Sequence, residues 1–493
     1  MSVPEKIPPQ QEVSVTPDIE NQAPLAQTVT EPYCVYRKGA KWFLVGISAV
    51  AGFFSPFPAN IYFPAIPTLA RVFDVSTDSI NLTVTIYLAM QGISPMLWGP
   101  LSDRVGRRPV FVVCFIILVA SCIGLALTPV DAFWLLLLLR AVQAGGCAST
   151  IALGSGVIGD ISSPEERGGF FGIFNLGPML SPCIAPILGG VLSERLGWRS
   201  IFWFLSIAAV VCILFILLFL PETLRTLVGN GSIEPPNMLY RPWLPIIRPS
   251  NGQYKKKPID RPRRTSTNPL KLLKLPHIVV ALFYTGVVYA VNYTITATIS
   301  SSFADIYPYL SETALGLCYL STGGGMILGS TLTGKMLDRE YRRAKQQWAA
   351  EADAENGLFP IERARLRTMP LLLAIFLGCV FGWGWCLTSK VSIAVPLILQ
   401  FILGYTSISI LNATMTLMID VAPGQSSGVI ACTNLMRCSL AALLVSVIDY
   451  ATNALGYGWT YVLLGGISIL LWPLMHIEMK YGPGWRAKQK ATA

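Results

Sequence analysis

The chain has 493 residues, of which 53% are hydrophobic and 13% charged, and its mean hydropathy is +0.55. Soluble globular chains carry about 25% charged residues, so a soluble enzyme or soluble binding domain is excluded. The formal net charge of +10 is then charge facing anionic lipid rather than nucleic acid.

A hydrocarbon core of about 30 Å takes roughly 20 apolar residues per helix. Twelve runs meet that length: 42–66, 79–98, 109–128, 132–157, 169–192, 200–220, 277–300, 313–333, 370–388, 391–418, 428–448 and 459–477. The expected fold is an all-α polytopic membrane protein of twelve transmembrane helices. Ahead of the first run, residues 1–36 are rich in Pro, Glu, Gln and Thr and lack the basic and apolar regions of a signal peptide. Residues 1–40 read as a disordered cytoplasmic tail. Residues 41–220 hold six spans, 221–275 form a basic, Pro-rich linker, 276–479 hold six more spans, and 480–493 form a second cytoplasmic tail. An even number of spans puts both tails on one side of the membrane. That side carries 31 of the 37 Lys and Arg, the opposite side four (Arg71, Arg195, Arg199, Lys390), and the spans two (Arg140, Arg437). The positive-inside rule therefore makes both tails cytoplasmic.

The loop after span 2 reads "GPLSDRVGRRPV" (99–110), one acid and three arginines set among glycines. Gly99 and Gly106 permit tight turns. Asp103 suits the positive end of a neighbouring helix, and Arg104, Arg107 and Arg108 suit carboxylates or lipid phosphates. The stretch after span 8, "GKMLDREYRR" (334–343), repeats the spacing with Asp338 and Arg339, although Tyr341 replaces the central glycine. "GDISSPEERGG" (159–169) after span 4 is echoed by "IDVAPGQSSGV" (419–429) after span 10, with Asp160 and Asp420 at cytoplasmic helix ends. Two six-span repeats predict two bundles around a central cavity, the plan of a secondary transporter. Contacts made in one arrangement of the bundles and broken in the other give these loop residues a gating role.

Arg140 lies about 12 Å into span 4 from its outer end, and Arg437 about 14 Å into span 11 from its inner end, at 1.5 Å per residue. Each has an amide three residues away, Gln143 and Asn434, and charge at that depth is costly and functional by default. No Asp or Glu falls within a span by this assignment, so an anionic substrate is the expected counter-ion, which favours organic acids over cationic drugs. Asn60, Asn175, Tyr289, Asn292 and Asn412 are further polar candidates for the cavity. Span 5 carries Gly172, Pro186, Gly189 and Gly190, a pattern suited to close helix approach. "GSTLTGKM" (329–336) resembles a phosphate loop, but Met336 stands where Ser or Thr would bind Mg²⁺ and no strand precedes it. Uphill work is therefore expected to come from an ion gradient. The two histidines (His277, His476) and eleven cysteines show no metal-ligand or catalytic spacing. No metal, cofactor or enzyme activity is expected.

The 99–110 stretch matches in full the loop 2–3 signature of the major facilitator superfamily, Gly-x3-Asp-Arg-x-Gly-x-Arg/Lys. "LLRAVQAGGCAS" (138–149) resembles that superfamily's span 4 motif, and residues 172–190 resemble its antiporter motif, with Ser181 and Ala185 in place of two glycines. "NIYFPAIP" (60–67), "RSIFWFL" (199–205), "LPETLRTLVGNG" (220–231), "NLMRC" (434–438) and "YGPGWR" (481–486) resemble the fungal twelve-span drug:proton antiporters, above all the quinidine-resistance branch and the citrate exporters of filamentous fungi. The resemblance implies the major facilitator fold, protons and a small molecule as partners beside membrane lipid, and a monomer. It also implies a plasma-membrane location, with the vacuolar membrane as the alternative, and span 11 as the partner of Asp103. Asn60 stands where some proton-driven relatives carry an acid. Three functions follow as alternatives: export of a small organic anion or metabolite such as a citrate-like acid, broad drug or mycotoxin efflux, and a transport-dead sensor, against which the short, low-complexity tails argue.

Overall fold

The computed structural model describes residues 33–163, 166–235, 237–244, 269–350, 360–421, 426–470 and 472–492. Among them eleven helices are long and apolar enough to cross a membrane. The first ten are α1 (Lys38–Val72), α2 (Thr77–Val105), α3 (Arg107–Leu127), α4 (Phe133–Ile161), α5 (Arg167–Leu196), α6 (Arg199–Phe219), α7 (Pro276–Ile306), α8 (Glu312–Trp348), α9 (Ile361–Thr388) and α10 (Ala394–Val421). The eleventh, Gly428–Arg486, has 59 residues, about 90 Å of helix and far more than one crossing needs. It breaks at Gly456 (φ 74°, ψ 167°), a conformation open to glycine and strained for other residues. The two pieces are α11 (428–455) and α12 (457–486). Their contacts with α7 show the reversal. Met436 of α11 packs at Gly286, Tyr461 of α12 hydrogen-bonds Thr298 toward the outer end of α7, and Met475 and Glu478 line a small cavity with Val280 and Ala281 near its inner end. The twelve predicted crossings are thus present.

Proline punctuation shapes α1. Pro56, Pro58 and Pro64 interrupt it as a helical turn at Phe57–Asn60 and a 3-10 turn at Phe63–Ala65, because each proline lacks the N–H that the helical ladder requires. Unwound backbone at membrane depth survives only where its carbonyls find donors. Here Tyr87 Oη donates to Ser55 O (3.1 Å) and Arg140 Nη1 to Pro58 O (3.0 Å).

The halves α1–α6 and α7–α12 meet along α5 with α8 and along α2 with α11. A Cβ on Gly190 would collide with the Glu312 carbonyl, on Gly316 with that of Pro186, and on Gly189 with that of Ile61; these small residues let backbones touch. Gly172 differs from its predicted packing role, since a Cβ there meets nothing within 4 Å. Gly177, which the motif reading passed over, is the tighter position, set against the backbone of Ala49. Away from the interfaces, α6 turns Trp203, Ile207, Val210, Val211, Leu214 and Phe215 outward, an apolar stripe suited to lipid.

Three predicted boundaries shift. Residues 33–40, assigned to a disordered tail, pack on the inner face: Tyr33 Oη donates to Gly159 O (3.1 Å) and Val35 N to Asn230 O (3.1 Å). Residues 480–492, assigned to a tail, continue the helix that starts at Trp472. The stretch 334–343, expected as a loop, lies inside α8, because Tyr341 stands where a glycine would allow a turn and its neighbours favour helix. The linker is described at 221–235, 237–244 and 269–275, and its run "KKKPIDRPRR" lies outside the described residues.

Candidate functional site: a central cavity between the halves

A cavity at the junction of the halves is lined by Pro56, Ala59 and Asn60 of α1, Gln91 of α2, Pro182 of α5, Tyr289, Asn292, Tyr293 and Thr296 of α7, and Tyr319, Thr322 and Met326 of α8. Three sequence candidates, Asn60, Tyr289 and Asn292, meet there. Among the described residues no charged side chain lines it. Asn175 instead lies exposed on α5, and Asn412 donates to Ser330 Oγ (3.2 Å), tying α10 to α8.

Neither intramembrane arginine is among the residues that line the cavity, whereas the sequence alone suggested direct contact with substrate. Arg140 is fully buried, with its guanidinium 4.3 Å from the ring centre of Tyr62 and 4.5 Å from that of Tyr87. Besides Pro58 O it donates to Gln143 Oε1 (2.7 Å), whose Nε2 turns to Cys122 Sγ (3.2 Å). Arg437 donates from Nε and Nη2 to Asn434 Oδ1 (3.2 and 2.9 Å) and lies 4.9 Å from the ring centre of Tyr289. Asn434 Nδ2 donates to Gln91 O (2.8 Å), linking α11 to α2. The reason for this seating is steric and electrostatic. An aromatic face holds a desolvated guanidinium at about 2 kcal/mol, so each cation is seated on tyrosine rather than left facing an apolar gap.

The inner ends of the helices carry a network of ions. Arg107 reaches Asp103 (2.6 Å), Asp160 (3.2 Å) and Ser102 Oγ (2.6 Å). The described partner of Asp103 is therefore Arg107, one turn on; the side chains of 422–427, at the start of α11, lie outside the described residues. Arg108, expected on a carboxylate or a lipid phosphate, is 1% exposed and donates instead to the carbonyls of Leu217 (2.8 Å) and Leu239. Arg104 is exposed. Gly99 lies within the α2 helix with open space around it, so the turn is at Gly106 alone.

Gly106 has φ +126° and a Cβ there would stand 2.5 Å from Glu222 Oε2. Glu222, which sequence reasoning missed, is 1% exposed and accepts from the backbone N–H groups of Arg107 (2.9 Å), Arg108 (3.2 Å), Thr223 (2.9 Å) and Leu224 (2.9 Å). It caps the positive N-terminus of α3. Its one available signal was a lone acid closing a long apolar run in "LPETLR". Nearby, the hydrogen bond and charge of Lys41, 2.8 Å away, hold the Glu166 carboxyl below its ordinary value.

In the second half Arg365 pairs with Asp420 (3.0 Å) and stacks on Tyr341 (4.2 Å). The spatial counterpart of Arg107–Asp160 is thus Arg365–Asp420, both joining the start of an odd-numbered helix to the end of the next. Arg339, the sequence-aligned candidate, is exposed, and the side chain of Asp338 lies outside the described residues.

At the outer end the polar contacts cross between halves. Asn81 Nδ2 donates to Asp449 Oδ2, Thr68 Oγ1 to Glu312 Oε1, and Thr313 N to Glu194 Oε2 (2.8 Å). Phe63 stacks on Tyr319 at 6.0 Å. The outer gate is closed. Among the described residues no group of three His, Cys, Asp or Glu is placed to hold a metal.

A twelve-crossing bundle with paired halves, a central cavity and ion networks at its helix ends defines a secondary transporter. Residues 48–446 match the family model described as Major Facilitator Superfamily, and the chain belongs to that superfamily; it is no enzyme. It is 37% identical to citrate exporter 1 of Aspergillus niger over 469 residues, covering 92% of this chain and 88% of the relative. It is 35% identical to the probable transporter AQR1 of Saccharomyces cerevisiae (92% and 79% covered) and 34% identical to the MFS antiporter QDR2 of Candida albicans (89% and 88%). Its fold is similar to that of a bacterial homologue of the human lysosomal transporter Spinster, with a TM-score of 0.62 at 12% identity, over 90% of this chain and 98% of the other.

Proposed function

We propose that this carrier exports a small organic anion, a citrate-like acid above all, in exchange for protons, acting as a monomer in the plasma membrane. The observation that supports it is the pair of intramembrane arginines. Arg140 and Arg437 are held by carbonyls, amides and tyrosine rings, with no carboxylate partner among the described residues. A unit charge about 8 Å away contributes roughly 2 kcal/mol at an effective dielectric constant of about 20. Two such charges favour an anion in the cavity without touching it. Tyr293 Oη, free of a hydrogen-bond partner in the cavity wall, and the amides of Asn60 and Asn292 offer donors to carboxyl and hydroxyl groups. A relative named as a citrate exporter, 37% identical, fits the same reading.

A second reading is broad drug efflux. It draws on the tyrosine and methionine lining, which accepts flat apolar solutes, and on relatives named as multidrug transporters. Efflux of size-matched anionic, neutral and cationic solutes from proteoliposomes separates the two. Anions are expected to be carried at least tenfold faster than cations, and Arg140→Gln and Arg437→Gln each to cut that preference several-fold. Equal carriage of cations by the wild type would overturn the anion reading.

A further inference from the structure

The linker after α6 is basic and rich in proline, yet its stretch "MLYRPWL" (238–244) turns large apolar side chains outward. Met238, Leu239, Trp243 and Leu244 are between 45% and 87% exposed. Such a cluster facing water is a liability unless something covers it. The backbone fixes where it stands. Trp243 N donates to Leu217 O and Leu244 N to Leu218 O, each at 3.0 Å, so the stretch folds back on the last turn of α6, whose carbonyls lack partners within the helix. α6 has 21 residues, about 31 Å at 1.5 Å per residue, which matches a hydrocarbon core of about 30 Å. Its last turn therefore marks the inner edge of that core, and Trp243 and Leu244 stand level with it. Two further observations agree. The outward stripe of α6 runs through Val211, Leu214 and Phe215 toward this turn. On neighbouring α1, Phe43 packs edge-on against Phe219 at 5.5 Å, which puts the half-exposed Trp42 at the same level; tryptophan concentrates at this boundary.

We propose that residues 238–244 form an interfacial anchor lying in the inner leaflet, with Met238, Leu239, Trp243 and Leu244 at the boundary of headgroups and acyl chains. The occupant of this apolar face is membrane lipid. Arg241 pairs with Glu234 at 3.1 Å, so the local charge is balanced and apolar burial, rather than attraction to anionic headgroups, holds the anchor down. The signature turn between α2 and α3 is clamped to it. Arg108 donates to Leu239 O as well as Leu217 O, Glu222 N donates to Tyr240 O (3.2 Å), and a Cβ on Gly106 would stand 3.0 Å from Tyr240 Cε1. Arg108 thus meets lipid only through the anchor it positions, and the start of the linker belongs to the first half and moves with it. None of this depends on the substrate reading.

The test is the depth of the anchor in the full chain, reconstituted without substrate in neutral phosphatidylcholine vesicles. The half-buried Cys34 and Cys386 are replaced by Ser, and a nitroxide is attached at Leu239→Cys or Trp243→Cys. Phe215→Cys on the lipid-facing stripe and Asp131→Cys, exposed in the outer loop, serve as references for lipid and water. Collisions with oxygen, which concentrates among acyl chains, are compared with collisions with a water-soluble nickel chelate. At both anchor positions the ratio of oxygen to chelate collisions is expected to lie several-fold above that at Asp131 and to approach that at Phe215. A ratio equal to that at Asp131 would overturn the anchor. Shielding from both reagents would overturn it too, since that marks a face covered by protein, such as a second copy of the chain. Arg108→Gln is expected to lower the ratio at Trp243 several-fold while that at Phe215 holds; an unchanged ratio at Trp243 would remove Arg108 from the clamp.

Discussion

Glu222 condenses the residue-scale logic of the inner helix ends. Four backbone N–H groups converge on one buried carboxylate, and only a glycine at 106 leaves room for it. Replacing Gly106 with Ala forces a side chain into a left-handed conformation worth about 1–3 kcal/mol of strain and drives a methyl into the carboxylate. Glu222→Gln keeps the shape but turns an N–H₂ toward donors, leaving buried amides unmet at about 1–3 kcal/mol each. Both variants are expected to lower the thermal midpoint of the purified carrier by several degrees, with Glu222→Ala lower than Glu222→Gln. A midpoint scan in detergent checks this; unchanged midpoints would mean that the cap is dispensable.

At the scale of elements, the repeat visible in the sequence and the repeat visible in space do not coincide. The sequence aligns Arg339 with Arg104, yet α8 runs through that stretch and the ion pair formed in space is Arg365–Asp420, beyond residues 351–359. Removing either partner is expected to slow transport several-fold at equal surface expression, whereas Arg339→Ala stays near wild type. A double-mutant cycle should give a coupling of about 0.5–3 kcal/mol for 365 with 420; additivity there would reduce the pair to a surface contact. The twelve spans, the charge asymmetry and the loop signature were legible because each is local: composition, periodicity or spacing along one segment carries it. Glu222 and Asp449 were not, since their meaning depends on which helix end or which bundle faces them. The arginines were legible as cations at membrane depth but not as cations seated on rings, because only the fold brings Tyr62 and Tyr87 to Arg140 and Tyr289 to Arg437.

For the whole molecule, the inner ion pairs Arg107–Asp160 and Arg365–Asp420 each stay within one half, while the outer contacts at Asn81, Thr68 and Glu194 join the halves. Rocking about the central seam therefore exchanges outer contacts for solvent while each half keeps its inner ion pair. Energetics then bear on the driving force. A membrane potential of 100 mV, negative inside, favours export of each negative charge by about 2.3 kcal/mol, or about 7 kcal/mol for a trivalent anion, whereas one unit of pH gradient supplies about 1.4 kcal/mol per proton. Potential alone could thus drive release, so proton exchange is distinguished only by separating the two gradients. With the potential clamped at zero, an inward proton gradient of two units is expected to raise anion efflux from proteoliposomes severalfold and a protonophore to abolish the increase. Efflux that follows the clamped potential and ignores the proton gradient would identify a uniporter, and the proton-exchange reading would fall.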